Sequence, residues 1–455
     1  MENRLLETYK RRLALSEQVH KEAHSGATMT IAQKNTIARV LANTSAYLNE
    51  AFSNSVGTQR SDMAEFKKFA LDLTTVALPN LIANDLVIVK PMSSMTGYIQ
   101  YLKFTAGSNK GGIGQTTLFN DPFALAPMTD ARIDYTSRFV SDLVKLENGE
   151  GFLAWTPIAK DENGKFIASL VGAESGAEIE VLDGETGKIR VTGSSAEVVK
   201  VKYVYDNVRI PQNDLPIYNA HMEGIGLEAH ARRIAIYYSQ MAAFQAKQEM
   251  GLDLGAVLAT QACAELSYEI DTEIVKLLVE SAPVDVTLKF NKRVPVGIAK
   301  AEHYEGFAEV IEQASQVIYD RTQKHSANYM ICASNVKPVL ALMRGWKAAS
   351  TTKINGPYLA GTINGIKVFV SPAVKPGKFV MGFNGDDLVT SAAVYAPYMA
   401  IVPTALLQFA DGGNSQGFST LYDLKLLNTA LLVAGEIVDV ADAEANQTVS
   451  VSTGA

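Results

Sequence analysis

The stretch LPNLIANDLVIVKPMSSMTGYIQYLKF, Leu78 to Phe104, decides how the rest of the chain is read. Leu81, Ile82, Leu86, Ile88 and Val89 form an apolar segment without a catalytic side chain. Pro91 cannot donate to a strand ladder, so a turn is predicted there. Ser93, Ser94 and Gly97 are expected to carry that turn. Tyr98, Gln100 and Leu102 then leave as a strand. An apolar arm, a turn and an outgoing strand are thus joined in one piece.

Upstream, residues 1–50 read as helical. Leu5, Tyr9, Leu13 and Val19 recur at helical spacing, and Ile31, Ile37, Val40, Leu41 and Leu48 resume it after a break at Ser25-Gly26. Asn54 to Arg60 is a polar connector. A further helix is predicted over Asp62–Ala77, stopping before Pro79 because the residue preceding proline avoids helical geometry.

Downstream, the apolar period changes to two between Thr96 and Pro211. Ile179-Val181 and Ile189-Val191 read as strands, with Asp183-Gly184 and Thr186-Gly187 as turn signals between them. Val198 to Val208 alternates again, and Glu162-Asn163-Gly164 marks another turn. Residues 140–212 therefore read as a β-rich insertion. Asp253 to Ser281 is the best helix: Leu254, Leu258, Ala262, Leu266, Ile270 and Ile274 form an i+4 row. Asp253 is its expected N-cap and Pro283 its stop. At 1.5 Å per residue such a helix is on the order of 40 Å long. A second helix is predicted over Gly306–Thr322 and a short one over Val336–Met343. Strands are expected at Tyr329–Cys332, Ile366–Val370, Phe379–Phe383 and Ala393–Val402, which makes the class α+β rather than a βαβ repeat. Glu444 to Ala455 is a polar tail.

With 455 residues, 47% hydrophobic and 20% charged, the chain can bury a sizeable core; its length suggests roughly two to four domains. The net charge of −7 argues against duplex DNA as a ligand, which needs clustered Lys and Arg. No apolar run reaches the ~18 residues of a membrane span, and the charged start MENRLLETYKRR is not a secretory signal. Cys263 and Cys332 are far apart and are expected to be buried thiols.

Candidate chemistry is sparse. Lys110 to Thr117, KGGIGQTT, approaches the phosphate loop of partition-type ATPases, which makes a P-loop-type ATPase the distant alternative. That loop needs a second lysine where Gln115 stands, and a helix after it where Pro122 and Pro127 stand. His20 and His24 share a helical spacing, but HKEAH is not HExxH and offers no third ligand, so a solvated face is expected. Glu265, Glu269 and Glu273 read as another solvated face, and Asp386-Asp387 as part of a hairpin turn. No catalytic, cofactor or metal residue is assigned.

The opening stretch resembles the junction between the N-terminal arm and the extended loop in major capsid proteins of T-even-type tailed phages. Its residues are Pro79, Asn80, Leu81, Pro91, Met92 and Gly97. Three more blocks are similar to the same family in the same order. EAHARRIAIYYSQMAAFQAKQE, residues 228–249, followed by AVLATQACAELSYEIDTEIVKLL, looks like the return from the extended loop into a spine helix. SANYMICASNVKPVLAL, Ser326 to Leu342, looks like the opening of the axial domain. NGIKVFVSP, FVMGFNG and AAVYAPYMAIVP follow between Gly361 and Pro403, with Tyr395, Ala396, Pro397 and Tyr398 as a turn. Within the insertion no resemblance is recognised.

The resemblance implies the Hong Kong 97-type capsid fold. On that pattern residues 1–50 are an N-terminal helical segment and candidate propeptide, and 51–95 the arm. Residues 96–235 are the extended loop with its insertion, 236–325 the peripheral domain with the spine helix at 253–281, 326–403 the axial domain, and 404–455 the return and tail. The implied function is a major head protein that self-assembles into hexamers and pentamers of an icosahedral shell around double-stranded DNA, built in the host bacterial cytoplasm and retained in the virion. A vertex-specific protein or an encapsulin-like shell protein is the alternative within the same fold. Scaffold, portal, vertex and decoration proteins and a prohead protease are the implied partners; no cofactor, membrane or catalytic activity is. The family's protease cuts after Glu in the pattern Leu or Ile, any residue, Glu, Ala or Gly, and Leu48-Asn49-Glu50-Ala51 fits it. A chain starting at Met1 is then the uncut form. The Lys–Asn cross-links of some relatives are not implied.

Overall fold

The computed structural model describes all residues except 1, 24–25, 27, 54–59, 107–116, 120–137, 172–176, 194–197, 207–217, 323, 350–355, 386, 405 and 440–455. The Asn54–Arg60 connector before Arg60, His24, Asp386, Pro122, Pro127, the polar tail and Lys110 to Thr116 lie outside the described residues. The chain divides into two compact units, Met1–Ile99 with Ile225–Ala455, and Gln100–Gly224.

The first unit opens with helices α1 (Glu2–Thr8), α2 (Lys10–Ala23), α3 (Ile31–Ser53), α4 (Arg60–Asn80) and α5 (Ala83–Leu86), then strand β1 (Ile88–Val89); β2 (Thr96–Ala106) starts in the first unit and ends in the second. Leu13, Ile37, Val40, Leu41 and Leu48 are buried as their spacing requires, whereas Ile31 at the mouth of α3 is exposed. Helix α4 does not stop before Pro79 but runs one residue past it. The missing N–H of Pro79 leaves the Thr75 carbonyl without its helical donor. The Ser16 hydroxyl donates to that carbonyl at 3.0 Å and satisfies it. One turn on, His20 Nδ1 lies 3.4 Å from the Pro79 carbonyl. His20 is buried against α4, which corrects the expectation of a solvated face.

The second unit holds β3 (Thr117–Phe119), β4 (Phe139–Lys145), β5 (Glu150–Phe152), β6 (Ala168–Val171), β7 (Glu178–Asp183), β8 (Lys188–Thr192) and β9 (Val198–Val204); β10 (Tyr218–Glu228) carries the chain back. Two three-stranded antiparallel sheets form here, in the orders β4-β9-β6 and β5-β8-β7. Their inner faces enclose a separate core that includes Val140, Trp155, Ile189, Val201 and Tyr203. Period-2 alternation produces it: in β9 Val199, Val201 and Tyr203 turn inward while Val198, Lys200 and Lys202 face out. The 184–187 turn joins β7 to β8 where the glycine dipeptides predicted it. The Asp161 carboxylate accepts from the N–H groups of Asn163 and Lys165, fixing the other predicted turn.

The chain returns through β11 (His230–Ser239), α6 (Gln240–Met250), α7 (Leu254–Ser281), β12 (Val284–Asn291), α8 (Lys300–Glu305) and α9 (Phe307–Thr322). Then come β13 (Tyr329–Cys332), α10 (Lys337–Leu340), β14 (Lys347–Ala348), β15 (Tyr358–Ile363), β16 (Ile366–Val370), β17 (Lys378–Gly382), β18 (Ala393–Pro403), β19 (Leu407–Gln408), β20 (Gly413–Leu426) and β21 (Leu432–Val438). Seven strands make a mixed sheet in the order β12-β21-β17-β13-β16-β15-β14. All four residues of β13 are buried at its centre. A second sheet runs β1-β18-β20-β11, with β19 on β20. The long helix α7 begins where predicted: the Asp253 carboxylate accepts from the N–H groups of Gly255 and Ala256. Its row from Ala262 to Leu278 joins the core, but Glu273 departs from the expected solvated face. It is ion-paired to Arg232 at 2.6 Å and accepts the Tyr422 hydroxyl. Helix α9 buries Phe307, Ile311, Ala314 and Ile318. Asp387 caps a 3-10 turn, Leu388–Thr390, rather than a simple hairpin. Both cysteines are free and buried.

Candidate functional site

Two of the predicted segments, more than 300 residues apart in sequence, meet in the first unit. Strand β1 lies parallel to β18, with Ile88 opposite Val394 and Val89 opposite Tyr395. The ladder continues past the strand's end: Lys90 N–H donates to the Tyr395 carbonyl and Met92 N–H to the Pro397 carbonyl, both at 3.0 Å. In extended chain, alternate N–H groups point to the same neighbour. Pro91 occupies the intervening position, where its lack of a donor leaves nothing unpaired. The proline that signalled a turn therefore also permits the ladder to pass through it.

Tyr395, Ala396, Pro397 and Tyr398 are not a turn. They lie inside β18, which is paired on both sides. Pro397 has no N–H for its ladder, and the register to β20 slips there, from Pro397↔Tyr422 to Met399↔Leu421. That slip is a β-bulge, which is how a central strand accommodates proline. Before the bulge the faces alternate. Val394 and Ala396 pack with Ile88, Met92, Ile99, Leu227 and Leu427. Tyr395 turns the other way, into the main core. Gly97 likewise is not part of a turn but of β2, in ordinary backbone, and a Cβ there would meet nothing nearer than the Met92 methyl at 3.9 Å.

Polar side chains fix the segment from several elements at once. From α3, the Asn43 amide donates to the Met92 carbonyl at 2.7 Å and to the Tyr398 carbonyl at 2.9 Å, bridging the junction and β18. From α7, the Asp271 carboxylate accepts the Ile82 N–H at 3.1 Å and caps the short helix α5. Asp271 is buried, and that burial holds its pKa well above the usual carboxylate range, against the opposing pull of the N–H groups of Ile82 and Ala83. Ser391 accepts the Ile88 N–H at 3.1 Å and donates to Asn384 Oδ1 at 2.9 Å. Asn384 donates to the Asp85 carbonyl, and Lys367 reaches the Asp85 carboxylate at 2.7 Å. Tyr395, fully buried, meets Tyr422 in a tilted ring contact at 5.4 Å; burial and the Asp271 charge raise its pKa.

The remaining predicted residues are placed as follows. Pro79 and Asn80 end α4, the Asn80 amide donating to the Val76 carbonyl, and Leu81 follows it, buried. Leu48 is buried with Ala70, Met399, Val402 and Leu421. Glu50 is exposed on α3, and Ala51 continues the same helix. The Glu50–Ala51 bond is therefore helical. Thr117, the last residue of KGGIGQTT, opens strand β3 where a phosphate loop requires a helix. Among the described residues no group of His, Cys, Asp and Glu could hold a metal, and no helix is long and apolar enough to cross a membrane. The arrangement does mechanical work: it fixes a segment by backbone pairing and side-chain clamps.

Asn43, Asp271, Asn384 and Ser391 escaped the sequence reading. A signal existed only for Asp271, a carboxylate set on the apolar stripe between Ile270 and Ile274. The others are ordinary polar residues whose partners are distant in sequence.

Three comparisons bear on this arrangement. A family model described as Major capsid protein Gp23 matches residues 63–451. The major capsid protein of Enterobacteria phage T4 is 25% identical over 398 residues, covering 76% of this chain and 73% of the relative. That of Escherichia phage AR1 is 24% identical over 387 residues with the same coverage. Among solved structures, one from Microbacterium phage Oxtober96 aligns at a TM-score of 0.38 and 12% identity, over 78% of this chain and 90% of that one. The capsid of Myoviridae phage XM1 aligns at 0.35 and 9%, over 62% and 90%. At those scores the structural likenesses carry no weight beside the family match.

Proposed function

The chain belongs to the Gp23 family of major capsid proteins, and from that premise we propose that it self-assembles into hexamers and pentamers of an icosahedral, Hong Kong 97-type head around double-stranded DNA. The observation that carries this is the family match across 63–451, which includes every element of the junction except Asn43. Residues 51–95 act as the arm, 96–235 as the extended loop, α7 as the spine helix, and 326–403 as the axial domain, with 404–455 returning to the peripheral domain of 236–325. The physics is repetition. A contact between copies that is weak alone becomes strong when symmetry closes a ring and every copy makes it twice. Such contacts need a segment held in one pose, because ordering it at the moment of assembly subtracts from affinity. The ladder from Ile88 to Met92 on β18 supplies that pose. Scaffold, portal, vertex and decoration proteins and a prohead protease are the proposed partners.

The same reading assigns cleavage after Glu50. A protease takes its substrate extended, so the last turn of α3 must unwind and Leu48 must leave its apolar contacts first. Maturation on this account is gated by local unfolding. Mass spectrometry of mature particles reads it directly: an N-terminus at Ala51 supports the cut, and one at Met1 removes it.

Self-assembly itself is tested by electron microscopy and sedimentation of the purified full chain. Shells or six-membered and five-membered rings are expected. A monodisperse monomer at all concentrations would overturn the reading.

A further inference from the structure

The second unit has two outer sheet faces of opposite character. On the β4-β9-β6 face, alternation exposes Lys145 on β4 and Lys200 and Lys202 on β9. Register places Lys200 between Leu143 and Val171, Lys202 between Ser141 and Ser169, and Lys145 beside Val198. The strands β4, β9 and β6 present no carboxylate on this face, since Asp142 turns inward and accepts the buried Tyr203 hydroxyl. Among the described residues none of the three lysines has an ion pair or side-chain hydrogen bond.

On the β5-β8-β7 face the cations are occupied. Lys188 and Arg190 both pair with Glu150, at 2.7 and 2.6 Å. Glu178 and Glu180 stay exposed on β7, with Asp183 at the strand's end. Among the described residues one face is thus cationic and unpaired, while on the other Glu150, Glu178 and Glu180 outnumber Lys188 and Arg190, with Glu180 opposite Arg190 in register.

Lysine on a sheet is often a guard against edge-to-edge pairing. That explanation fails for Lys200 and Lys202, because β9 is the central strand of its sheet. Two like charges at adjacent positions on one face of a central strand also repel. The isolated fold gains nothing from them. Leu143, Val171 and Val198 are exposed among the lysines, so the face combines apolar area with charge, the make-up of a contact surface.

We infer that the Lys145–Lys200–Lys202 face docks against the Glu178–Glu180 face of a second copy of the chain. This rests on the self-assembly reading and names one of its contacts. Each copy offers both faces, so the contact is heterologous and leaves one free face at each end of a pair, which a ring closes. The attraction is screened by salt over about 8 Å at physiological ionic strength.

Charge exchange tests it in the full chain at low salt. Lys200→Glu with Lys202→Glu gives copies acidic on both faces; Glu178→Lys with Glu180→Lys gives copies basic on both. Each alone is expected to lower the yield of rings or shells by about tenfold or more. An equimolar mixture is expected to restore six-membered rings, in which the two kinds alternate with complementary faces; a five-membered ring cannot alternate throughout. Lys200→Gln with Lys202→Gln, which removes charge without reversing it, should fall between. Wild-type yield from either reversed variant alone overturns the inference, as does a mixture no better than its components when both variants melt at the wild-type temperature. Retention of a DNA duplex that is lost in the lysine variant and kept in the glutamate variant assigns the face to nucleic acid instead, and also overturns it. A wild-type chain that forms no rings or shells sinks the self-assembly reading as well, so the two failures are distinguishable.

Discussion

The junction around Met92 and the small double sheet of residues 139–204 use polar groups in opposite ways. At the junction Asn43, Asp271, Asn384 and Ser391 turn inward, and each satisfies backbone or side-chain atoms from elements distant in sequence. In the double sheet nearly all charge faces solvent over an apolar interior, the Tyr203–Asp142 pair being an exception. The first arrangement spends its polarity on fixing its own chain. The second leaves it available to something else. Substitutions should therefore unfold the one and leave the other folded but altered in what it touches.

The largest effect is expected at Leu86, fully buried in the main core. Leu86→Ala should destabilise the first unit by about 2–5 kcal/mol. The core of 139–204 is separate, so differential scanning calorimetry should show one transition lowered and the other unmoved. A shift of both together would break the comparison.

Next comes Tyr203→Phe. The Tyr203 hydroxyl donates to Asp142 and accepts the Trp155 N–H at 3.0 Å. Removing it strands two buried groups, at about 1–3 kcal/mol. Here only the transition of the second unit should fall.

Asp271 sharpens the comparison through pH. Its folded pKa is raised by burial, so the folded state holds the proton more tightly than the unfolded chain. The stability contributed by that proton is complete below the ordinary carboxylate range and is lost as pH rises through the raised folded value. The slope is at most about 1.4 kcal/mol per pH unit for one proton. Asp271→Asn keeps an acceptor for the Ile82 N–H and cannot ionise. Urea midpoints taken across pH should lose that slope in the variant; an unchanged slope would mean that another group sets it.

The smallest of these effects is Asn43→Ala, which removes two donors but leaves the Lys90 and Met92 ladder in place. A loss of about 1–2 kcal/mol is expected. Hydrogen exchange should quicken at the Lys90 and Met92 amides before it does in β13.

Much of the fold was legible because periodicity reports burial directly. The α7 row, the β7–β8 hairpin and β13 lie within a residue or so of their predicted places. The errors share a cause. Pro79, Pro397 and Gly97 were read as local breaks, since proline and glycine commonly punctuate elements. In the folded chain Ser16 satisfies the carbonyl that Pro79 abandons, and a bulge absorbs Pro397. His20 and Glu273 were read as solvated because nothing local names the Pro79 carbonyl, or Arg232 and Tyr422, as their partners.

The sequence by itself determined the α+β class, the family, the long helix and the β-rich insertion. Those follow from residue pattern, which is local. Only the tertiary structure decided that Ile88–Met92 would be laid along Val394–Pro397, that Asp271 would cap α5, and that three lysines would share a face on which, among the described residues, they are unpaired. Pairing between distant strands and the burial of a single carboxylate depend on which surfaces meet, and no short-range pattern encodes that.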